Sequence, residues 1–242
     1  MKNFIGKIAS FIAAEASGWR SGEIAWFLSS ELVTLALSLY WKDSPAGIIA
    51  ATTGIAYTVF AGKGKISCSL FGAINTPIYA YLAWKSGYYG DMALNIYYFF
   101  MMSALVSSWR RHRPSDGIYG IERTRLSRRE RFLWTVAVTA GSLALWQILV
   151  AFDGSRPLCD ALTNTLSIAA MILTVKRCVE QWAAWIAVDL IEVFMWFKVY
   201  GESGTSVSLL IMWMMFLANG IYLWRVWLRD AARRELSLSR SA

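Results

Sequence analysis

Eight stretches of the chain, at about 24–41, 46–61, 67–84, 91–109, 132–151, 159–175, 182–199 and 206–224, are apolar almost throughout and are separated by short charged or turn-forming runs. Each is close to the roughly 20 residues an α-helix needs to cross about 30 Å of hydrocarbon. The pattern therefore predicts an all-α membrane protein with eight transmembrane helices. The 46–61 stretch is the shortest and is rich in Gly, Ala and Thr. Ahead of them Phe4, Ile5, Ile8, Phe11 and Ile12 recur at helical spacing among Lys2, Lys7 and Arg20. Lys7 and Glu15 break the apolar run and no small-residue cleavage site follows it. Residues 1–22 therefore read as an interfacial amphipathic segment rather than a signal peptide.

The apolar pattern is interrupted most sharply in QWAAWIAVDLIEVFMWFK, Gln181 to Lys198. On a helix Trp182, Trp185, Asp189, Glu192 and Trp196 recur every three or four positions and share one stripe. A carboxylate at mid-bilayer costs roughly 2.5–3.5 kcal/mol on insertion scales unless it faces a cavity or a partner. No Lys or Arg lies in the apolar interior of any span, so these acids face water, or are protonated, or meet a cation from outside. An aromatic seam between helices, with acids reaching to its ends, is the bland alternative; the central position of Asp189 weighs against it. Other polar residues at membrane depth are Asn75, Asn95 and Tyr98 (one turn apart), Gln147, Asn164, Ser167 and Asn219. Pro77 predicts a break just after Asn75. Glu31, in the first span, reads as facing a subunit interface or a cavity. Tyr222, Trp224 and Trp227 read as an aromatic belt at one membrane face.

Composition agrees: the 242 residues are 57% hydrophobic, with a mean hydropathy of +0.42. The net charge of +8 does not point to nucleic acid, because the basic residues fall in connections rather than on a folded surface. Threading eight spans places twenty of the 24 Lys and Arg on one side. Only Lys42, Lys85, Arg156 and Lys198 fall on the other. By the positive-inside rule the basic side, with both termini, is cytoplasmic. The Arg110–Arg131 connection carries eight of these charges and reads as a topology anchor on anionic headgroups. Cys68, Cys159 and Cys178 have neither metal spacing nor a disulfide pattern and read as small apolar residues. The one histidine, His112, lies in a basic loop, so no His-containing metal site or Ser-His arrangement can be built and an enzyme is not expected. No cofactor is implied: no phosphate-binding Gly motif is present, and no Lys lies inside a span to hold retinal.

The chain also repeats itself. An offset of 114 lays residues 46–87 on 160–201 without a gap, matching Phe71 with Trp185 and Asn75 with Asp189. One residue further on, Trp109 meets Trp224. Each unit is three helices with one helix between them, so both units run the same way and form a 3+1+3 core of parallel repeats. The expected organisation is thus 1–22 amphipathic, 23–42 an extra N-terminal helix, and 46–109 the first repeat. After the 110–131 basic cytoplasmic loop come the linker helix 132–152, the second repeat 159–227 and a basic tail 228–242. Parallel-repeat transporters bind substrate near mid-bilayer where the repeats meet.

These residues resemble the PnuC family of bacterial nicotinamide riboside transporters. The likeness is carried by W-x-x-W-x-x-x-D at Trp182, Trp185 and Asp189, FGAIN around Asn75, Gly-Tyr-Tyr-Gly at 87–90, and Asn219-Gly220 followed by Trp224. It spans about residues 46–228. The resemblance implies a SWEET-like architecture with a different helix arrangement, a homotrimer in the bacterial inner membrane, and facilitated diffusion of nicotinamide riboside. It also implies a separate cytoplasmic kinase that traps the substrate as the mononucleotide. Two departures stand out: Asn95 replaces a Gln of relatives, with Met102 where an Asn follows, and position 189 is Asn in some relatives. The extra span at 24–41 precedes the family core and is expected to be peripheral.

The residues suit such a substrate, a flat aromatic cation bearing a sugar. A cation over an indole gains about 0.5–2 kcal/mol, which assigns Trp185, and with it Trp182, to stacking. Asp189 or Glu192 can neutralise the pyridinium or accept ribose hydroxyls, while Asn75, Asn95 and Asn219, with Tyr98, suit the carboxamide and hydroxyls. A phosphorylated substrate would bring negative charge towards two carboxylates. Three alternatives stay open: a carrier of another vitamin such as thiamine, proton-coupled uptake through Glu192, and a membrane signalling or structural protein with a seven-helix core. The charge split makes the first test one of topology: a reporter fused after Arg129 reads cytoplasmic and one near Ser155 external. Finding the Arg110–Arg131 loop outside overturns both the span count and the repeat.

Overall fold

The computed structural model describes residues 6, 11–42, 44–85, 89–112, 120–152, 156–203 and 207–241. Among them the protein is all helical: α1 (Ser21–Tyr40), α2 (Pro45–Gly62), α3 (Cys68–Lys85), α4 (Tyr89–Arg111), α5 (Arg128–Ala151), α6 (Pro157–Val175), α7 (Gln181–Ser203) and α8 (Val207–Ser241). Local chemistry fixes several starts. Ser44 accepts from the Gly47 amide ahead of Pro45, and Ser127 and Glu130 form a reciprocal capping box on α5. Among the described residues five helices (α1, α2, α4, α5 and α6) are long and apolar enough to cross a membrane. Pro77 does not break α3: the helix is continuous from Cys68 to Lys85. A single Pro costs a helix one hydrogen bond, which tight packing on α2 and α4 can offset.

Neighbour relations put two helix triplets into a ring. α2 packs on α3 and α3 on α4; α6 packs on α7 and α7 on α8. The third helix of each triplet then meets the first helix of the other, α4 on α6 and α8 on α2. α5 lies outside the ring against α6, and α1 lies outside it against α2. α5 turns Phe132, Leu133, Val136, Leu143 and Ile148 outward, as a helix facing lipid requires.

The seams between triplets are closed by one device used twice. The last carbonyls of a helix have no partner within it, and burying them unpaired is costly. Trp109, near the end of α4, donates its indole N–H to the Thr174 carbonyl at the end of α6 (3.0 Å), and Ser108 donates to Val175 (2.7 Å). Reciprocally, Trp227 of α8 donates to the Gly62 carbonyl at the end of α2 (2.7 Å). Both indoles are fully buried. Gly62 is required there, since a Cβ would overlap Leu223 of α8. Around the two indoles Met102, Leu105, Met171, Trp182 and Leu223 pack into one continuous core that fills this end of the ring.

This device corrects the sequence register. The α2–α3 and α6–α7 turns superpose in their hydrogen bonds: Lys65 N–H to Phe60 and Cys178 N–H to Leu173, with Gly64 and Arg177 both left-handed at φ 70° and 63°. These matches, and the starts of α3 at Cys68 and α7 at Gln181, give an offset of 113 rather than 114. The partner of Asp189 is therefore the buried Thr76, not Asn75. The offset lays Trp109 on Tyr222, and it is the hydrogen bonds across the two seams, not the offset, that make Trp227 rather than Trp224 the counterpart of Trp109. Trp227 is core, not membrane belt.

Two further expectations change at the same end. Of the N-terminal segment, residues 1–5 and 7–10 lie outside the described residues; the described part, helical over 11–16, is docked on the α2–α3 turn. Glu15 accepts from the Ser67 amide (3.0 Å) and hydroxyl (2.6 Å) at the start of α3. The buried Lys65 ammonium holds the Ala14 and Ser17 carbonyls (2.7 and 2.8 Å). The basic connection before α5 is only partly an exposed anchor. Its residues 113–119 lie outside the described residues, but 120–127 form a strap across the end of the ring. Thr124 pairs with Arg177 and Val179, Ile121 and Leu126 are buried, and Leu126 and Arg131 both bond Glu180. Arg123 lies over the Trp227 ring (4.9 Å), pairs with Asp230 and reaches the Gly62 carbonyl. Burial brings its guanidinium down to about 10, so at neutral pH it stays charged.

Replacing Trp227 by Phe keeps the ring and deletes the indole donor, leaving the Gly62 carbonyl only the longer Arg123 contact, as Trp109→Phe leaves Thr174 only the Arg177 amide; losing such a hydrogen bond typically costs about 0.5–1.5 kcal/mol. Thermal unfolding in detergent is expected to show this loss for Trp227→Phe and Trp109→Phe and a clearly smaller one for Trp224→Phe. A larger loss at Trp224 contradicts the assignment of Trp227 as the counterpart of Trp109.

Candidate substrate site

α7 carries the aromatic and acidic stripe past the ring interior, and packing on α6 and α8 divides it by depth. Trp182, in the first turn, is 3% exposed and meets Trp227 edge-on at 5.8 Å, inside the core plug. One turn on, Trp185 donates to the Thr174 hydroxyl (3.3 Å), and its ring lies 6.1 Å from Tyr98 of α4. A further turn brings Asp189, 5% exposed. α8 passes it at Gly220, where a Cβ would stand 3.5 Å from Asp189 Oδ2, so the carboxylate is covered by a neighbour with no side chain. Glu192, partly buried on the next turn, is close enough to act on Asp189 electrostatically.

Facing this stripe, α4 and α6 carry matched polar residues. Asp91, Asn95 and Tyr98 on α4 and Asp160, Asn164 and Ser167 on α6 both follow i, i+4, i+7, which puts each set on one helix face. The helices are in contact and run in the same direction. Asp91 and Asp160 interact electrostatically at the top of the seam. A turn below, Asn95 and Asn164 each bond the carbonyl of their own acid, at 2.8 and 2.7 Å. At the foot the Tyr98 hydroxyl meets Ser167. The seam thus descends from two carboxylates to the Tyr98–Trp185 pair and stops at the apolar core.

Of the residues expected to form a site, Tyr98, Trp185, Asp189 and Glu192 come together, with Asn95 one turn above Tyr98. Three do not join them. Asn75 donates to the Ala50 carbonyl on α2 (2.5 Å), beside Thr53 and Gly54, and Phe216 of α8 approaches the same spot. Trp182 is core. Asn219 is fully buried and accepts from the indole of Trp26 on α1 (2.6 Å). Thr174, Asp91 and Asp160 were missed. The matched acids could have been found from their spacing relative to Asn95 and Asn164, whereas Thr174 carries no signal because a helical Thr usually bonds its own backbone. Trp26 was missed because its helix precedes the repeats. A void of about 320 Å³ opens where α6 begins, beside Arg156, Phe194 and Lys198. Among the described residues no His, Cys, Asp and Glu grouping could hold a metal ion.

Comparisons with known proteins bear on this arrangement. Residues 44–229 match the family model described as nicotinamide mononucleotide transporter. The nicotinamide riboside transporter PnuC of Neisseria mucosa is 32% identical over 223 residues, covering 90% of this chain and 85% of the relative. That of Haemophilus influenzae is 29% identical over 220 residues, covering 90% and 94%. A crystal structure of the vitamin B3 transporter PnuC aligns with a TM-score of 0.80 at 31% identity, covering 93% of this chain and 98% of the other. The stripe on α7, the ring around it and these matches agree: the chain is a multi-pass membrane protein and belongs to the PnuC family.

Proposed function

We propose that the protein carries nicotinamide riboside into the cell down its gradient, with the substrate held between the α4–α6 seam and the α7 stripe. The observation that carries this reading is the placement of Asp189 beneath Gly220, one turn from an indole that faces Tyr98. It is supported by the names of the relatives, which are riboside transporters. The family description names the mononucleotide instead. Charge favours the riboside: a phosphate would have to pass Asp91 and Asp160 and come to rest near Asp189 and Glu192. The lysines and arginines lie near helix ends, in connections and in the polar half of α8.

In this reading all eight helices span the bilayer as a 3+1+3 core preceded by α1, with both termini and the strap cytoplasmic. The seam opens outward, and the two carboxylates at its top attract the pyridinium cation. Trp185 and Tyr98 stack on the ring, Asp189 accepts ribose hydroxyls or offsets the positive charge, and Asn95 bonds the polar edge. Glu192 adds to the negative field. Asn75 is held by the Ala50 carbonyl outside this cluster, Asn219 borders it through Gly220, and Trp182 supports Trp185 from below. The packed core and the strap close the cytoplasmic end, so release requires the α4–α6 and α2–α8 seams to shift, an alternating-access step. The family resemblance adds a homotrimer and a cytoplasmic kinase that traps the product. The protein itself is not an enzyme.

Proton-coupled uptake is the one competing mechanism with a residue to carry it, and two variants separate the readings. Asp189→Asn keeps a hydrogen-bonding group, and uptake into proteoliposomes is expected to survive with altered affinity. Asp189→Ala removes it, and losing a polar partner commonly costs about 1–3 kcal/mol, so uptake should fall much further. Equal abolition in both variants, with folded protein, means that the group must titrate and replaces facilitated diffusion with coupled transport.

A further inference from the structure

α1 was expected to be peripheral, yet it reaches across α2 to α8, and its contact there is specific. Trp26 Nε1 lies 2.6 Å from Asn219 Oδ1, joining residues 193 positions apart. An indole nitrogen can only donate, so the amide oxygen of Asn219 must face Trp26 and the amide NH2 must point the other way. That Nδ2 is buried and has no hydrogen-bond partner in a side chain that is 0% exposed. An unpaired buried donor is costly, and such groups call for an acceptor that arrives from elsewhere. The next residue, Gly220, is the one that faces Asp189. The void beside Trp26 and Asn219 measures only about 10 Å³, so at most about one water fits on that side.

We infer that Trp26 is a positioning residue for transport: its indole locks the Asn219 amide so that an N–H donor, not a carbonyl, is presented to an acceptor oxygen of the substrate. This rests on the proposed riboside reading, because the acceptor is a ribose hydroxyl or the carboxamide oxygen. The helix ahead of the core is then part of the binding machinery without touching the substrate. It also gives Asn219 a polarity that Asp189 lacks: one accepts and the other donates, on adjoining helices.

The test is a double-mutant cycle on the full-length protein, with Trp26→Phe, Asn219→Ala and the pair, read twice. Thermal unfolding without ligand reads the bond; nicotinamide riboside titration reads the positioning. The expected result is coupling in both. Trp26→Phe weakens riboside binding about tenfold in the wild-type background, which converts to about 1.4 kcal/mol, and has little further effect once Asn219 is Ala. Asn219→Asp, which still accepts from Trp26 but has no donor to offer, should keep the unfolding temperature near wild type and lose binding. Coupling in stability but not in affinity, or retained binding in Asn219→Asp, overturns the inference and leaves the bond structural. Wild-type protein that shows the stability coupling but binds no riboside refutes the substrate reading and, with it, the positioning role, while the bond itself stands.

Discussion

The ring depends on how two buried helix ends are satisfied. α2 and α6 stop inside protein rather than in water, so their last carbonyls need donors that the helices cannot supply. Trp227 and Trp109 supply them across the seams, each from the third helix of the opposite triplet. The same rings are apolar enough to fill the core between the triplets, so one residue type closes the polar account and the packing together. Because the bonds are reciprocal, the triplets can be placed only one way, and the depth of α7 relative to α4 and α6 follows. Trp185 and Asp189 come to lie above the apolar plug rather than within it. Arg123, stacked on Trp227 and bound to Asp230 and Gly62, ties the strap to this joint. A motion that opens this end has to disturb the strap as well.

What the site can do follows from that depth. Below Trp185 the interior is apolar and closed by Met171, Trp182 and Trp227. Above it, the α4–α6 seam is polar on both faces and ends in two acids. An aromatic cation gains at each stage of such a path, from the field of the acids to the indole face. An anion gains at none. The asymmetry between the seams matters here: the α2–α8 seam is lined by Gly54, Gly62 and Asn75 and packs tightly.

Much of this was legible in the sequence, and the limits are physical. Helix existence followed from apolar length, because membrane burial leaves a strong record in hydropathy. The register did not, since one residue gained or lost within a helix or a turn leaves hydropathy unchanged while rotating the following helix by about 100°. Hence Asn75 was matched with Asp189, where the turn hydrogen bonds match Thr76. Trp185 and Asp189 were legible because polar or aromatic residues on an apolar helix stand out. Trp182 stood out equally but packs into the core, since the sequence does not reveal which turn of α7 meets Trp227. The strap looked like a run of solvated charge because Ile121 and Leu126 are too few to register. Nothing in composition could show that Lys65 and Glu15 bind the N-terminal segment to the α2–α3 turn.

The central claim is that charge at the α4–α6–α7 face selects an uncharged sugar end on an aromatic cation. It is tested most directly by titrating the purified protein in detergent with nicotinamide riboside and, separately, nicotinamide mononucleotide at equal ionic strength. The riboside is expected to bind saturably and the mononucleotide at least a hundredfold more weakly, about 2.7 kcal/mol. Equal or tighter binding of the mononucleotide contradicts the account.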